Sequence, residues 1–301
     1  MSAVRVRVPA TTANLGPGFD ALGIALRLYD RFEAEEAEGL AVEGCEPAYA
    51  DEDNLFVRAY RLGLEELGLP FRGLRVRFRA DIPIARGLGS SSACVVGGLL
   101  AASAAGGRGD PRWGALGRER ILDLAARLEG HPDNAAPAVL GGFAVSVLEE
   151  GRATALRFPL GEELAFHALV PPFELSTAKA RAALPPSVPF KDAVRNSGRA
   201  ALVAAALAAR DYGALGLACS DRLHEPYRTP LVPGFAEVTA AAREAGALAV
   251  FLSGAGPTVM ALALAEDSGF AARMAPALAA RPEGAWRLLR LLPDDEGAVL
   301  D

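Results

Sequence analysis

The sequence predicts an α+β fold made of two successive parts. Strand patterns dominate the first eighty residues, where segments 4–8, 28–35 and 74–79 alternate apolar with polar or charged side chains. A loop rich in glycine and serine then leads into an uncharged helical segment. The second half alternates helix and strand patterns, which predicts helices on one face of a sheet.

In the first half, each helix is predicted where a turn precedes an apolar pattern. The helix after the loop carries no charge, so it should be buried on most faces. In order, the predicted elements are a helix from about Asn54 to Leu67, a helix from Cys94 to Ala105, a helix from about Leu116 to Leu128, a strand over 141–147 and a strand between Gly151 and Pro159.

The boundary between the two parts is predicted near residue 155, which gives domains 1–155 and 156–301. Alanine-rich segments of the second half favour helices, because alanine has the highest helix propensity. The predicted elements are a strand over 164–170, a helix over 176–184, helices within 191–223, a helix over 234–245, strands over 247–252 and 258–264, a helix over 267–280 and a strand over 286–292.

Composition excludes several classes of protein. The chain has 301 residues, a net charge of −6 and 51% hydrophobic residues, which suits a large core and argues against a nucleic-acid partner. Three widely spaced cysteines form neither a disulfide framework nor a zinc pattern. The most apolar windows are too short to span a membrane, and the N-terminus reads as a strand rather than a signal peptide, so we expect a cytoplasmic protein.

The loop from Pro83 to Ala93 carries the most chemical information. Its glycines and hydroxyls run into a helix start, where free N–H groups and the helix dipole favour a phosphate. A flexible linker is the alternative, but the loop lies between two predicted core elements. A P-loop is excluded because neither Lys179 nor Lys191 follows a glycine, and a dinucleotide fingerprint is weak because five residues separate the glycines from the strand.

The segment from Pro9 to Asp20 is a turn-rich loop after the first strand. Asn14 and Asp20 are its polar groups among small residues. These side chains either stabilise turns or recognise a small polar ligand, with Asp20 suited to an ammonium group.

A second polar cluster runs from Glu129 to Asn134. Glu129 is either a Mg²⁺ ligand, since Mg²⁺ takes one or two carboxylates plus phosphate oxygens, or a solvated charge at a helix end. His131 is either a site residue or structural. Asp133 and Asn134 could cap the next segment.

Two arginines could hold an anionic substrate. Thr177 and Arg181 share a helix face, and Arg228 ends the segment Glu225–Arg228. Arginine offers a fork that matches a carboxylate, although a surface charge is the alternative for each arginine taken singly.

A second glycine-rich turn runs from Leu252 to Thr258. It is either an ordinary hairpin or a backbone wall, in which Gly254 and Gly256 allow close approach to the first loop or to a ligand.

Together these motifs resemble those of the GHMP kinases, the family of galacto-, homoserine, mevalonate and phosphomevalonate kinases. The segments Pro83–Ala93 and Leu252–Thr258 are similar to the family's phosphate loop and C-terminal glycine motif. Four further segments resemble the homoserine kinase branch: Pro9–Asp20, His131–Pro137, Ser176–Arg181 and Glu225–Arg228. One departure is Ser92, where relatives often have alanine or glycine.

The resemblance implies a two-domain fold with an N-terminal α/β domain and a ferredoxin-like C-terminal α+β domain, often dimeric. It implies that ATP and Mg²⁺ are used to phosphorylate L-homoserine to O-phosphohomoserine in threonine biosynthesis. ATP would be held by Pro83, Ile84, Ala85, Arg86, Gly87, Leu88, Gly89, Ser90, Ser91, Ser92 and Ala93, and Mg²⁺ by Ser91 and Glu129. Substrate would be held by Asn14, Asp20, His131, Thr177, Arg181 and Arg228.

Catalysis in this branch is thought to need no dedicated base, and Asp133 is the nearest candidate if one exists. We expect Asp133 to be structural. The alternatives to a homoserine kinase are another kinase of the same family, such as mevalonate kinase, or a binding protein that has lost catalysis.

Overall fold

The structure is a computed structural model that describes residues 3–107 and 109–301. Within this part of the chain, eleven strands form two sheets and ten α-helices cover them. The strands are β1 (Val4–Ala13), β2 (Leu22–Glu35), β3 (Gly39–Glu43), β4 (Gly73–Ala80), β5 (Phe143–Glu149), β6 (Arg152–Phe158), β7 (Leu164–Val170), β8 (Ala249–Leu252), β9 (Val259–Leu264), β10 (Arg287–Leu291) and β11 (Val299–Leu300). The helices are α1 (Leu55–Glu66), α2 (Ser90–Ala105), α3 (Arg118–Glu129), α4 (Ala135–Leu140), α5 (Thr177–Ala182), α6 (Phe190–Ala209), α7 (Leu215–Ala218), α8 (Glu225–Arg228), α9 (Phe235–Glu244) and α10 (Phe270–Ala279).

The first sheet is organised around the long strand β2. Strand β1 pairs with β2 over nearly its whole length, β4 pairs with the second half of β2, and β5 pairs with its first half. The sheet runs β11-β1-β2-β4-β3 on one path, with β5 and β6 branching from β2. All its pairings are antiparallel except that of β3 with β4.

Helix α2 lies in the middle of the first core, which confirms the expectation that an uncharged helix is buried. Gly98 lets it approach α1 closely, since a Cβ there would lie 2.3 Å from the carbonyl oxygen of Phe56. The helix begins at Ser90 rather than at Cys94. Its N-cap residue is Gly89, which adopts a left-handed conformation at low cost. Thus the last residues of the predicted phosphate loop form the first helical turn.

The second sheet is antiparallel, with strand order β10-β7-β9-β8. Counted along the chain, these strands stand in the order four-one-three-two, and helices follow the first and third of them. This is a ferredoxin-like arrangement, so the predicted α+β fold with a C-terminal domain of this kind is confirmed. Helices α9 and α10 bury Val238, Ala242, Phe270 and Met274 in a core beside this sheet.

The sheets place the division between the two parts slightly beyond the predicted one. Strand β6 extends to Phe158 and pairs with β5 in the first sheet, so a boundary at 155 would cut this strand. The chain also returns to the first sheet at its end, where Leu300 lies opposite Val6. We therefore propose that the two domains divide after residue 158 and that the last residues of the chain belong to the first domain.

Several predicted elements differ in extent from the observed ones. Strand β2 begins at Leu22, six residues before the predicted strand, and its first residues are buried on both faces, which hides the alternating pattern. Helix α4 and strands β3 and β11 are not predicted from the sequence. Among the residues that the structure describes, no helix is both long and apolar enough to span a bilayer.

Candidate active site

A cavity of about 970 Å³ lies between segments of the first half of the chain and two short segments of the second half, residues 175–177 and 254–256. Its wall includes the phosphate loop, the end of α3 and the turn after it, the start of α5, and the second glycine-rich turn. A further part of the wall comes from residues 44–55, which precede α1. The volume is typical of a small-molecule site.

The phosphate loop opens the start of α2 toward this cavity. Gly87 and Gly89 have φ angles of 73° and 75°, which only glycine adopts at low cost. No side chain caps the N-terminus of α2, and Ser90 and Ser91 of its first turn line the cavity. Uncapped N–H groups at the positive end of a sixteen-residue helix favour an anion at this point.

Hydrogen bonds from three different segments hold the loop's carbonyl groups. The Leu88 carbonyl accepts a hydrogen bond at 3.1 Å from the N–H of Thr11, which lies in β1. The Ala85 carbonyl accepts the N–H of Leu175 at 3.2 Å, ahead of α5, and the Arg86 carbonyl accepts the N–H of Thr258 at 3.3 Å. The loop conformation is therefore held by segments from both halves of the chain without a ligand.

The second glycine-rich turn packs directly against the phosphate loop. The buried Ser253 hydroxyl donates to the Gly87 carbonyl at 2.6 Å and lies 2.8 Å from the Thr12 hydroxyl. The N–H of Gly254 donates to the Ala13 carbonyl at 3.0 Å. Both Gly254 and Gly256 line the cavity. The sequence does not predict a role for Ser253, although this residue lies within the Leu252–Thr258 motif.

Glu129 lies at the end of α3 and points its carboxylate at the start of α2. It accepts the Ser92 hydroxyl at 2.5 Å, and Ser92 is only 1% exposed. Burial raises the pKa of Glu129 above its ordinary value, while His131 and the Ser92 and Ser91 hydroxyls act in the opposite direction. Glu129 and Ser91 are thus brought together, and Ser92, which sequence reasoning gave no role toward Glu129, is its hydrogen-bond donor.

The turn after α3 positions His131 and Asn134 on the cavity wall. His131 Nδ1 lies 2.7 Å from Asp133 Oδ1. Burial alone would lower the pKa of His131, but the hydrogen bond and charge of Asp133 outweigh it, so that the pKa is raised. Asp133 is 2% exposed, also accepts from Asn134, and does not line the cavity.

Asn134 is a site residue that sequence reasoning treated only as a possible cap. Its side chain makes no cap hydrogen bond to α4. Instead Asn134 Oδ1 accepts the Thr11 hydroxyl at 2.7 Å, which ties the turn to β1. The sequence signal that could identify Asn134 is an amide side chain directly before two alanines, Ala135 and Ala136.

Asn14 and Asp20 form the far side of the site, beyond the second glycine-rich turn. Asn14 is buried, donates through Nδ2 to the Gly254 carbonyl at 2.8 Å and accepts the N–H of Asp20 at 3.0 Å. The Asp20 carboxylate accepts two hydrogen bonds from Arg181, at 2.8 and 3.1 Å. Asn14 therefore orients the loop that presents Asp20.

The two predicted arginines lie near each other and differ in exposure. Arg181 is partly exposed, whereas Arg228 is 1% exposed and donates to the Gly254 carbonyl at 3.3 Å and the Ala180 carbonyl at 3.4 Å. Burial, and then the charge of Arg181, lower the pKa of Arg228. Both guanidinium groups lie over the ring of Phe19, at 5.6 and 5.0 Å from its centre.

Two groups of predicted residues therefore meet at Gly254. The large cavity gathers Glu129, His131, Thr177 and seven residues of the phosphate loop. Four predicted residues of the loop do not line the cavity: Pro83, Arg86, Leu88 and Ala93. A neighbouring acidic and basic group gathers the remaining substrate candidates, Asn14, Asp20, Arg181 and Arg228. His131 joins the two, since side-chain atoms of Asp20, His131 and Asp133 lie within 4.8 Å of one another.

Comparison with known proteins agrees with this architecture. Residues 54–142 match the GHMP kinases N terminal domain, and residues 203–282 match the GHMP kinases C terminal domain. Homoserine kinases from Clostridium botulinum (strain ATCC 19397 / Type A) and Caldicellulosiruptor saccharolyticus are each 42% identical to the chain, cover 99% of it, and are themselves covered over 98% and 96% of their lengths. The chain belongs to the homoserine kinase family of GHMP kinases.

Solved structures place this homoserine kinase family member among proteins of the same fold. Homoserine kinase from Cytophaga hutchinsonii superposes with a TM-score of 0.85 at 27% identity, over 100% of this chain and 98% of that one. A putative homoserine kinase from Listeria monocytogenes gives 0.78 at 34% identity, over 99% of each chain. Mevalonate kinase from L. major, solved with R-mevalonate, gives 0.71 at 20% identity over 97% and 96%, which shows a shared fold.

The contact between the two glycine-rich turns generates a prediction. We expect Gly87→Ala to weaken binding of an ATP analogue about tenfold or more, because a Cβ there would lie 2.3 Å from the Ser253 carbonyl oxygen and displace the loop. Isothermal titration calorimetry measures this affinity.

Gly39→Ala is the matched control, since Gly39 has a similar φ of 78° and nothing within 4 Å of its Cβ position. Both variants should lose about 1 kcal/mol of stability from the left-handed conformation. Equal nucleotide affinity in the two variants would show that the contact does not shape the loop.

Proposed function

We propose that this protein transfers the terminal phosphoryl group of ATP to the side-chain hydroxyl of L-homoserine, giving O-phospho-L-homoserine in threonine biosynthesis. The observation that carries the proposal is the meeting of two sites at Gly254. One side offers an uncapped helix start for phosphates, and the other offers Asp20 with Arg181 and Arg228 for an amino acid. Membership of the homoserine kinase family supports the same substrate.

The phosphate chain of ATP would lie along the loop from Pro83 to Ala93. The N–H groups of the loop and of the first turn of α2 would offset its negative charge, and they are positioned before binding. The base would occupy the other end of the cavity, where Tyr49, Leu55 and Phe78 supply apolar and aromatic surface.

The residues at Glu129 fit a divalent cation. A carboxylate whose pKa is raised by burial, placed beside the Ser91 and Ser92 hydroxyls, gains by exchanging a proton for Mg²⁺. Glu129 and Ser91 would hold the ion, which when bound neutralises charge on the phosphate groups. Ser92 orients the Glu129 carboxylate through its hydrogen bond.

The amino acid would be recognised through both of its charged groups, the ammonium and the carboxylate on its α-carbon. Asp20 would accept the ammonium group, in a niche that already contains Asp133 and His131. Arg181 and Arg228 would face the carboxylate, with Arg181 leaving its present partner Asp20. Thr177, which lines the cavity at the start of α5, and Asn14, which orients the Asp20 loop, complete the set.

No carboxylate of the group stands free to act as a base toward the hydroxyl. Asp133 is buried and accepts hydrogen bonds from His131 and Asn134 instead of lining the cavity. The hydroxyl would therefore attack directly, with catalysis coming from positioning and charge neutralisation. Asp133 then serves to hold the ring of His131 in place.

The acidic niche favours an amino acid over the substrates of related kinases. Mevalonate carries a carboxylate but no ammonium group, so Asp20 would be left without a cationic partner once Arg181 turned to that carboxylate. A neutral sugar would leave both arginines without a carboxylate as well.

A direct assay tests the proposed substrate. We expect ADP release from MgATP with L-homoserine, and release at least about a hundredfold slower with mevalonate or galactose, because each missing charged contact removes about 1.5–3 kcal/mol. Coupled measurement of ADP checks this. Comparable rates with mevalonate would contradict the proposal.

The proposed carboxylate clamp, formed by Arg181 and Arg228 around the substrate carboxylate, generates a second prediction. Arg181→Ala should raise KM for homoserine about tenfold or more, since a charged hydrogen bond contributes about 1.5–3 kcal/mol, while KM for ATP changes little. Lys179→Ala, on the exposed face of the same helix, is the matched control and should leave both constants unchanged. An Arg181→Ala enzyme with the KM of the wild type would remove Arg181 from the clamp.

The role of Asp133 gives a third prediction. Asp133→Asn keeps the size of the side chain and an oxygen that can accept from His131, so we expect turnover to fall by no more than about tenfold, a range typical of lost positioning rather than lost base catalysis. Steady-state kinetics at saturating substrates measure kcat. A loss of activity to background at unchanged homoserine KM would restore Asp133 as a base.

A further inference from the structure

A second cavity, of about 550 Å³, shares no lining residue with the candidate active site in the part of the chain that the structure describes. Its wall comes from β1, β2 and β6, from the residues before α3 and the start of that helix, from the end of α4, and from the segment before β11. Five arginines line it: Arg7, Arg27, Arg112, Arg118 and Arg157. Only three carboxylates join them: Asp294, Asp295 and Glu296. This local excess of positive charge lies in a chain whose net charge is −6.

All three carboxylates are already engaged by protein donors, Glu296 by Arg7 and the other two by a phenol or by backbone N–H groups. Asp294 is 3% exposed and accepts the Tyr29 hydroxyl at 2.7 Å as well as two backbone N–H groups of the following residues. Asp295 accepts the N–H groups of Leu160 and Gly161 at 3.2 and 3.4 Å. Burial raises the pKa of Tyr29 to about 12, so this phenol stays neutral and adds no negative charge.

Three of the arginines have partners that hold them in place. Arg27 lies 2.6 Å from Glu162, and Arg157 lies 3.6 Å from Asp295. Arg7 lies 2.6 Å from Glu296, with its guanidinium 4.7 Å from the centre of the Tyr29 ring. These contacts fix part of the wall before any ligand binds, which lowers the entropy cost of binding.

Arg112 and Arg118 are the two arginines of the wall whose positive charge is not balanced by a carboxylate of their own. The carboxylate within reach of Arg112 is Glu296, at 3.9 Å, and Arg7 already occupies it. Arg118 makes no side-chain hydrogen bond or ion pair with residues 3–107 or 109–301. Like charges gathered in one cavity repel each other, so an anion that enters is favoured.

The size of the cavity suits a small ligand. Its volume falls within the range of small-molecule sites, and Trp113, 7% exposed, and Leu140 add apolar surface to its lining. Guanidinium groups bind phosphate and carboxylate oxygens in a two-pronged geometry, which favours an anion with several such oxygens.

We propose that this arginine cavity is a second ligand site, which binds a small multivalent oxyanion carrying phosphate or several carboxylate groups. Arg112 and Arg118 supply the charge that the protein leaves unpaired, and Arg7 and Arg157 form the fixed wall. The proposal is independent of the phosphoryl-transfer function, because the two cavities share no lining residue among those described.

The chain carries its own reporter for a test. It has two tryptophans, so Trp286→Phe leaves Trp113 in the cavity lining as the sole tryptophan, which can be excited selectively over the tyrosines. Pyrophosphate and, separately, citrate are titrated at constant ionic strength set with sodium chloride. We expect a saturable change in Trp113 fluorescence with at least one of them, and the two titrations distinguish a phosphate ligand from a carboxylate ligand. The double variant Arg112→Gln/Arg118→Gln should weaken that binding about tenfold or more.

The matched control is Arg58→Gln/Arg195→Gln, which removes the same charge from exposed positions on α1 and α6. It should bind the anion as the parent does. The proposal is overturned if neither anion gives a saturable change in the parent. It is also overturned if binding survives unchanged in the Arg112/Arg118 variant, which would place the anion elsewhere, or if both double variants lose it equally, which would reflect net charge alone.

Discussion

The candidate active site depends on the contact between Gly87 and Ser253. The Ser253 hydroxyl is fully buried, donates to the Gly87 carbonyl at 2.6 Å and reaches Thr12 at 2.8 Å, so one side chain joins the phosphate loop, β1 and the second sheet. Buried hydrogen bonds of this kind are strong because water does not compete for them. The distance between the phosphate loop and Gly254 is thereby fixed, and so is the separation of the two halves of the site.

That fixed separation suits phosphoryl transfer, in which positioning and charge neutralisation outweigh covalent chemistry. Glu129 and the helix start lie on one side of Gly254, and Asp20 with Arg181 and Arg228 lies on the other. His131, held by Asp133, connects the sides. The same principle of fixed charge recurs in the arginine cavity, where protein carboxylates hold three guanidinium groups and leave two for a ligand.

Local patterns predicted the elements whose residues have one buried face or a clear turn at each end. Strand β7 matches its predicted range, and α1 and α9 match within one residue at each end. Strand β2 was underestimated, because its first half is buried between neighbours and lacks an alternating pattern. Strand β11 has two residues and forms only by pairing with β1, so no local pattern could reveal it.

The sequence by itself predicted a phosphate-binding loop at Pro83–Ala93 and a Mg²⁺ ligand at Glu129, and it carried the family resemblance, because glycine spacing and short motifs are local properties of the chain. Only the tertiary structure decided that Ser92 donates to Glu129, that Asn134 rather than Asp133 reaches the cavity, and that five arginines converge on a second one. These partners come from segments far apart in sequence. Which of them meet is set by the pairing of β1 with β2 and β11 and by the packing of α2 and α3, since side-chain contacts follow from the sheet and helix positions.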